Sequence, residues 1–183
     1  MTPFSEFVFK KILNANMRGV EVGVRDGLNA AYLMNELPVK RLFLVDNFPA
    51  YDDDARIYNV DDQKGEYEKL LRTILGEDRY VQKSILVNKS SMEAYNIFLN
   101  WNPTPYLFDF VYIDADHSLE AVKKDLQWWN LIRNGGVLGG HDYGEHWGRF
   151  VKQAVDEFAA ENSLKIEVLD KSRGAIEWAI FKG

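Results

Sequence analysis

The chain has 183 residues, 46% of them apolar and 27% charged, with a formal charge of −6 and no cysteine. That is the balance of a soluble globular protein, one domain over residues 1–183 with one core, burying roughly 70% of its unfolded surface; it excludes disulfides and thiolate metal sites and argues against a nucleic-acid surface, which relies on clustered Lys and Arg. No apolar run approaches the ~18 residues of a membrane span, and the start has no basic region ahead of a long apolar segment, so a cytoplasmic protein without a signal peptide is expected.

Residues 3 to 16 carry Phe4, Phe7, Val8 and Ile12 at near-helical spacing, the mark of a short amphipathic helix. Gly19 to Val24 alternates as a first strand, followed by a tight turn through Arg25, Asp26 and Gly27. A helix with Ala30, Leu33, Met34 and Leu37 on one face then runs to Pro38. Arg41 to Val45 reads as a second strand, ended by Asp46. Residues 47 to 65, with Pro49, Gly65 and five Asp, read as a long loop or a poorly formed helix, and such loops are usually functional. Tyr67, Leu70, Leu71 and Ile74 mark a helix stopped at Gly76.

Ile85 to Val87 is a third strand. Ser90 and Glu93 form a capping-box pattern ahead of a helix with Met92, Tyr95 and Leu99 as its stripe. The run 102–105, Asn-Pro-Thr-Pro, leads into a fourth strand at Phe108, whose apolar residues Phe110 to Ile113 stop at Asp114, Asp116 and His117. The next helix turns Leu119, Val122, Leu126 and Trp129 inward, and Asn134-Gly135-Gly136 reads as its C-cap. Val137 and Leu138 form a fifth strand, running into His141 and Asp142. Trp147, Phe150, Val151, Ala154, Val155 and Phe158 give the clearest helical stripe. Two strands close the chain, Lys165 to Leu169 and Ala175 to Phe181, with a hairpin turn at 170–174. The order predicts an α/β fold: a doubly wound, mostly parallel seven-stranded sheet with an antiparallel C-terminal edge strand.

Three groups carry the chemistry. Glu21, Gly23 and Gly27 lie at the first strand-to-helix turn, where glycine lets the backbone approach a ligand. Arg25 stands where a dinucleotide fingerprint has its second glycine, so pyrophosphate and nicotinamide chemistry are disfavoured. Asp46 ends the second strand 19 residues after Gly27, close to the about 20 expected of a ribose-binding acid. Together these point to a nucleoside cofactor lacking a pyrophosphate. In a parallel sheet the fourth and fifth strands deliver their ends to one edge. Asp114 and Asp142 can then share a hard cation, and His141 extends the choice to softer divalent metals. A histidine there suits proton transfer near neutral pH. Asp142 also suits a helix cap, and His141 a packed histidine.

At these motifs the sequence resembles the class I S-adenosylmethionine-dependent methyltransferases. E-V-G-V-R-D-G, L-F-L-V-D, S-S-M-E-A, F-D-F-V-Y-I-D-A-D-H-S and G-G-V-L-G-G-H-D-Y are similar to successive motifs of the methyltransferase domain 24 group, related to the catechol and caffeoyl-CoA O-methyltransferases. The resemblance implies a Rossmann-like methyltransferase fold and methyl transfer to an oxygen of a small-molecule acceptor. It implies that Glu21, Gly23 and Gly27 line the methionine part of the cofactor, Asp46 holds the ribose, and Ser91 and Met92 flank the adenine. Asp114 and Asp142 fall at the two metal-binding Asp positions, for a divalent cation such as Mg2+, and Asp114 also borders the cofactor. His117 falls where relatives carry a basic lysine and is the expected base. Tyr143 replaces the Asn that usually follows the second metal Asp. About 18 residues precede the first strand, which leaves cover of the site to the 47–65 stretch or to a second subunit of a homo-oligomer. The rival readings are an N-methyl or macromolecular target, and a cofactor-binding scaffold without turnover.

Overall fold

The computed structural model describes residues 1–47, 69–101, 107–145, 148–169 and 176–183. Helix α1 (Pro3–Lys11) has Pro near its start, and its N-cap Thr2 accepts from Ser5 N. It precedes β1 (Met17–Val22), α2 (Leu28–Glu36) and β2 (Val39–Asp46). A π-helical turn (Leu71–Leu75) and a one-turn helix α3 (Asp78–Val81) lead to β3 (Ser84–Asn88) and α4 (Ser91–Leu99). Then follow β4 (Phe108–Ile113), α5 (Leu119–Asp125), a 3-10 helix (Leu126–Leu131) and β5 (Ile132–Gly140). Helix α6 (Arg149–Glu161) and strands β6 (Ile166–Val168) and β7 (Trp178–Lys182) finish the order. Of the sequence-based expectations, 48–65, Tyr67, the 102–105 run, Trp147 and the turn at 170–174 lie outside the described residues.

The sheet has seven strands in the order β3-β2-β1-β4-β5-β7-β6. The first five pair parallel, while β7 runs antiparallel to both β5 and β6. The order reverses between β1 and β4, so their carboxyl ends open the crevice where an open α/β sheet binds ligands. Alternating strand residues feed two cores. Val20, Val22, Val111 and Leu138 pack with α4, α5 and α6 on one face. Leu42, Leu44, Phe110 and Tyr112 pack with α1 and α2 on the other. β4 is buried along its whole length, as a central strand covered on both faces must be. Among the described residues no helix is long and apolar enough to cross a membrane.

Three expectations are corrected. Asn134-Gly135-Gly136 does not cap a helix; it lies within β5. The register between β4 and β5 shifts there, from Phe108 opposite Ile132 to Phe110 opposite Val137. Gly135, at φ 76, supplies the left-handed residue of this bulge, and a side chain at Gly136 would press on the Asp109 carbonyl. The helix before it ends early, at Asp125, and tightens to three residues per turn. That rotation buries Trp128 completely and leaves Trp129 half-buried against the core. In α4, likewise, Phe98 is buried while Leu99 is exposed.

Candidate active site

The chain leaves β1 through Gly23 (φ 84) and Gly27 (φ 77). A side chain at Gly23 would collide with the carbonyl of Asp114, so the β1 turn lies directly against the end of β4. Arg25 also has a left-handed backbone, φ 52. Asp46 holds it there: its Oδ2 accepts from Val24 N at 2.9 Å and Arg25 N at 3.1 Å. Burial pushes the Asp46 carboxyl up, against the backbone N–H groups of Arg25, Val24 and Asn47. A carboxylate offers about four acceptor sites, so one remains for another donor.

Glu21 is 1% exposed. Its Oε1 accepts from Asn29 Nδ2 at 2.9 Å, and its Oε2 has no partner. Burial drives its pKa well above the usual carboxylate value, and the negative charges of Asp114, Asp46 and Asp26 add to the rise. One orphaned carboxylate oxygen among further acids is a cradle for a cationic donor. On α4, the capping box is present: Glu93 accepts from Ser90 N at 3.0 Å. Ser91 Oγ accepts from Trp128 Nε1 at 2.9 Å, and Met92 packs half-buried against the core.

Across the crevice stand the ends of β4 and β5. Asp114 N donates to Val22 O at 2.8 Å, extending the strand pairing to the site. His117 Nε2 lies 3.2 Å from Asp114 Oδ1, and its Nδ1 lies 3.4 Å from Asp142 Oδ2. His141 Nδ1 is also 3.4 Å from Asp142 Oδ2. The hydrogen bond to Asp114 raises the His117 pKa, with Asp142 adding to it. Asp142 raises that of His141, and His141 in turn lowers that of Asp142. Asp142 has φ 56, a strained position at the mouth of the site. Asp116 is exposed and accepts from Ser118 N at 2.8 Å, so it shapes the turn.

Asp114, His117 and Asp142 each offer a ligand atom, all within 4.8 Å of one another. Two oxygens and an imidazole nitrogen suit a divalent cation. His141 touches this trio only through Asp142. Tyr143 turns away: its hydroxyl donates to Asp156 on α6, and burial with that bond pushes its pKa up to about 12.

The Methyltransferase domain family matches residues 20–143, which spans both walls of this crevice. The chain belongs to that family. This methyltransferase also has the fold of solved relatives. An O-methyltransferase from Bacillus cereus in complex with SAH is 14% identical, with a TM-score of 0.68 over 100% of this chain and 82% of that one. The O-methyltransferase TomG from Streptomyces achromogenes in complex with SAM is 15% identical, TM-score 0.65, over 100% and 81%. An rRNA methylase from Streptococcus thermophilus is 13% identical, TM-score 0.61, over 98% and 93%. No curated protein matches in sequence. By family and fold the protein is a class I S-adenosylmethionine-dependent methyltransferase.

Four residues of the site region were not singled out by sequence. Asn29, on the first turn of α2, binds Glu21. Trp128 donates to Ser91 Oγ, and Asp125 is buried close by. Glu177, 7% exposed, accepts from Phe4 N at 2.8 Å and Tyr112 Oη at 3.0 Å and so ties α1 to the sheet. Only an acid in an otherwise apolar strand approach would have flagged Glu177; Asp125 looks like any polar helix residue.

Proposed function

We propose that this single domain transfers the methyl group of S-adenosylmethionine to a hydroxyl oxygen of a small-molecule acceptor. The observation that carries the reading is the contact between the Gly23 turn and Asp114. It sets a candidate cofactor wall and a candidate proton-handling group side by side. Glu21 and the glycine turn receive the methionine part, whose ammonium group answers the orphaned Oε2. Asp46 takes a ribose hydroxyl with its remaining acceptor site, and Ser91 and Met92 flank the adenine. The acceptor hydroxyl sits at the Asp114, His117 and Asp142 cluster. Its oxygen attacks the methyl carbon in line, the carbon–sulfur bond breaks, and the hydroxyl proton passes to His117. Positioning then supplies much of the barrier reduction, since no covalent intermediate is needed. A divalent cation fits the same cluster: Asp114 and Asp142 would hold it, and it would lower the acceptor hydroxyl pKa while His117 receives the proton.

Isothermal titration and methyl-transfer assays on phenolic and sugar hydroxyl acceptors separate these roles. Asp114→Asn and His117→Gln should bind S-adenosylhomocysteine as wild type does while losing about 100-fold or more in turnover. EDTA should abolish turnover without affecting cofactor binding. Unchanged turnover in both variants would overturn the assignment, and wild type that binds no cofactor would favour a scaffold without turnover.

A further inference from the structure

Asp142 is the one member of the Asp114, His117 and Asp142 cluster whose backbone is left-handed, φ 56. Its Oδ2 lies 3.4 Å from Nδ1 of both His117 and His141. A residue other than glycine keeps such a backbone only where its surroundings outweigh the strain. For Asp142 those surroundings come largely from one side of α6. Gly148, the N-cap, is followed by Lys152 and Asp156 at four-residue spacing, which places all three on one side of the helix. Gly148 packs against the Asp142 carbonyl, which a side chain there would overlap. Asp156 accepts from the Tyr143 hydroxyl with Oδ1 and from Lys152 Nζ with Oδ2 at 2.8 Å. Lys152 also lies 3.6 Å from Glu145 Oε1 and 5.4 Å from the centre of the Tyr143 ring. Tyr143 is 8% exposed, and its N–H donates to Ile176 O at 2.9 Å. The residue after Asp142 is therefore tied at both ends, by its amide to the approach to β7 and by its hydroxyl to α6.

We propose that Asp156 is a positioning residue for methyl transfer: through the Tyr143 hydroxyl it holds Asp142 left-handed and so sets the Asp142 carboxylate against His117. The inference rests on the reading of the Asp114, His117 and Asp142 cluster as the place of the acceptor hydroxyl. A hydrogen bond to an ionised carboxylate is of the same order as the strain of one left-handed residue. Loss of the Tyr143–Asp156 bond therefore leaves that strain unopposed. Asp142 then turns to an ordinary backbone, which carries its carboxylate away from His117. Lys152 braces the arrangement through the second oxygen of Asp156. The same contacts give the tyrosine at 143 a use of its own: its ring fills the core and its hydroxyl reaches α6, so it serves Asp142 and not a ligand.

The test compares crystal structures, turnover and cofactor affinity of wild type, Tyr143→Phe and Asp156→Ala. Tyr143→Phe keeps the buried ring and changes no charge at neutral pH. In both variants Asp142 should leave positive φ, and its Oδ2 should move from His117 Nδ1 beyond the ~4 Å of an ion pair. With catechol and with methyl glucoside as acceptors, kcat should fall about 10- to 100-fold, the cost of a misplaced group. Affinity for S-adenosylhomocysteine by isothermal titration should stay within about threefold, since the cofactor wall is untouched. Where Asp156→Ala does not fold, Tyr143→Phe decides the matter. An Asp142 that keeps positive φ and its distance to His117 in the folded variants overturns the inference and leaves the methyl-transfer reading intact. Equal loss of cofactor affinity and turnover also overturns it, because that is general damage to the fold. An Asp142 that moves while kcat stays at the wild-type value takes down the reading of the cluster and this inference together, as does wild type that transfers no methyl group.

Discussion

Asp125 makes a stability prediction that needs no cofactor. Burial pushes its carboxyl from the ordinary 3.8 up to about 6, against the Ser91 hydrogen bond. The folded state therefore holds this proton more tightly than the unfolded state. Stability from the group is fully present below about pH 3.8 and is lost as pH rises through about 6. A rise of roughly two units corresponds to about 3 kcal/mol in full. Between pH 7.5 and pH 5 the same relation returns about 1.4 kcal/mol of it. Asp125→Asn has no proton to gain, so it subtracts this contribution and leaves every other titration in place. Urea denaturation of both proteins at a series of pH values reads the difference directly. Wild type should gain about 1.4 kcal/mol on the variant between pH 7.5 and 5. Parallel pH profiles would show that Asp125 titrates alike in the folded and unfolded protein, against the rise that its burial causes.

Gly23→Ala should abolish measurable S-adenosylhomocysteine binding and lower stability by about 1–3 kcal/mol, because the new Cβ meets the Asp114 carbonyl and φ is 84; titration within threefold of wild type would refute this. Asp109, 4% exposed, accepts from Asn14 Nδ2 at 2.8 Å, Arg18 N at 2.7 Å and Arg133 Nε at 2.7 Å. Asp109→Ala removes the shared acceptor and should cost about 1.5–3 kcal/mol in urea denaturation. It lies at the amino end of β4, so cofactor affinity of the folded fraction should not change.

Strand periodicity and the acids at strand ends made the parallel sheet and both walls of the crevice legible in the sequence. An apolar run cut off by Asp46 or by Asp114 has few other readings in an α/β chain. What escaped was geometry set by three-dimensional context. Gly135-Gly136 has the composition of a helix cap, and only pairing with β4 turns it into a bulge. The 3-10 turn that buries Trp128 is a local tightening that apolar spacing does not encode. Asp46 is visible in the sequence as an acid ending a strand, but its clamp on the Val24 and Arg25 amides depends on a loop conformation. The placing of His117, rather than His141, between the two aspartates likewise depends on the turn after β4.

Strain and charge are both concentrated at this crevice. Arg25 and Asp142 hold left-handed backbones, a cost of order 1–3 kcal/mol each that survives only when neighbours fix the conformation. Asp46 fixes the first through two amides. Gly148 allows the second, since a side chain there would collide with the Asp142 carbonyl. Around the first turn, Glu21 and Asp46 both have raised carboxyl pKa values, with burial as the main cause. Gathering Glu21, Asp46 and Asp114 at one crevice disfavours the charged form of the buried acid. A donor carrying a sulfonium and an ammonium group would bring positive charge to these acids, and its binding energy would add to folding stability. The same acids that raise one another's pKa there would favour a positively charged methyl donor.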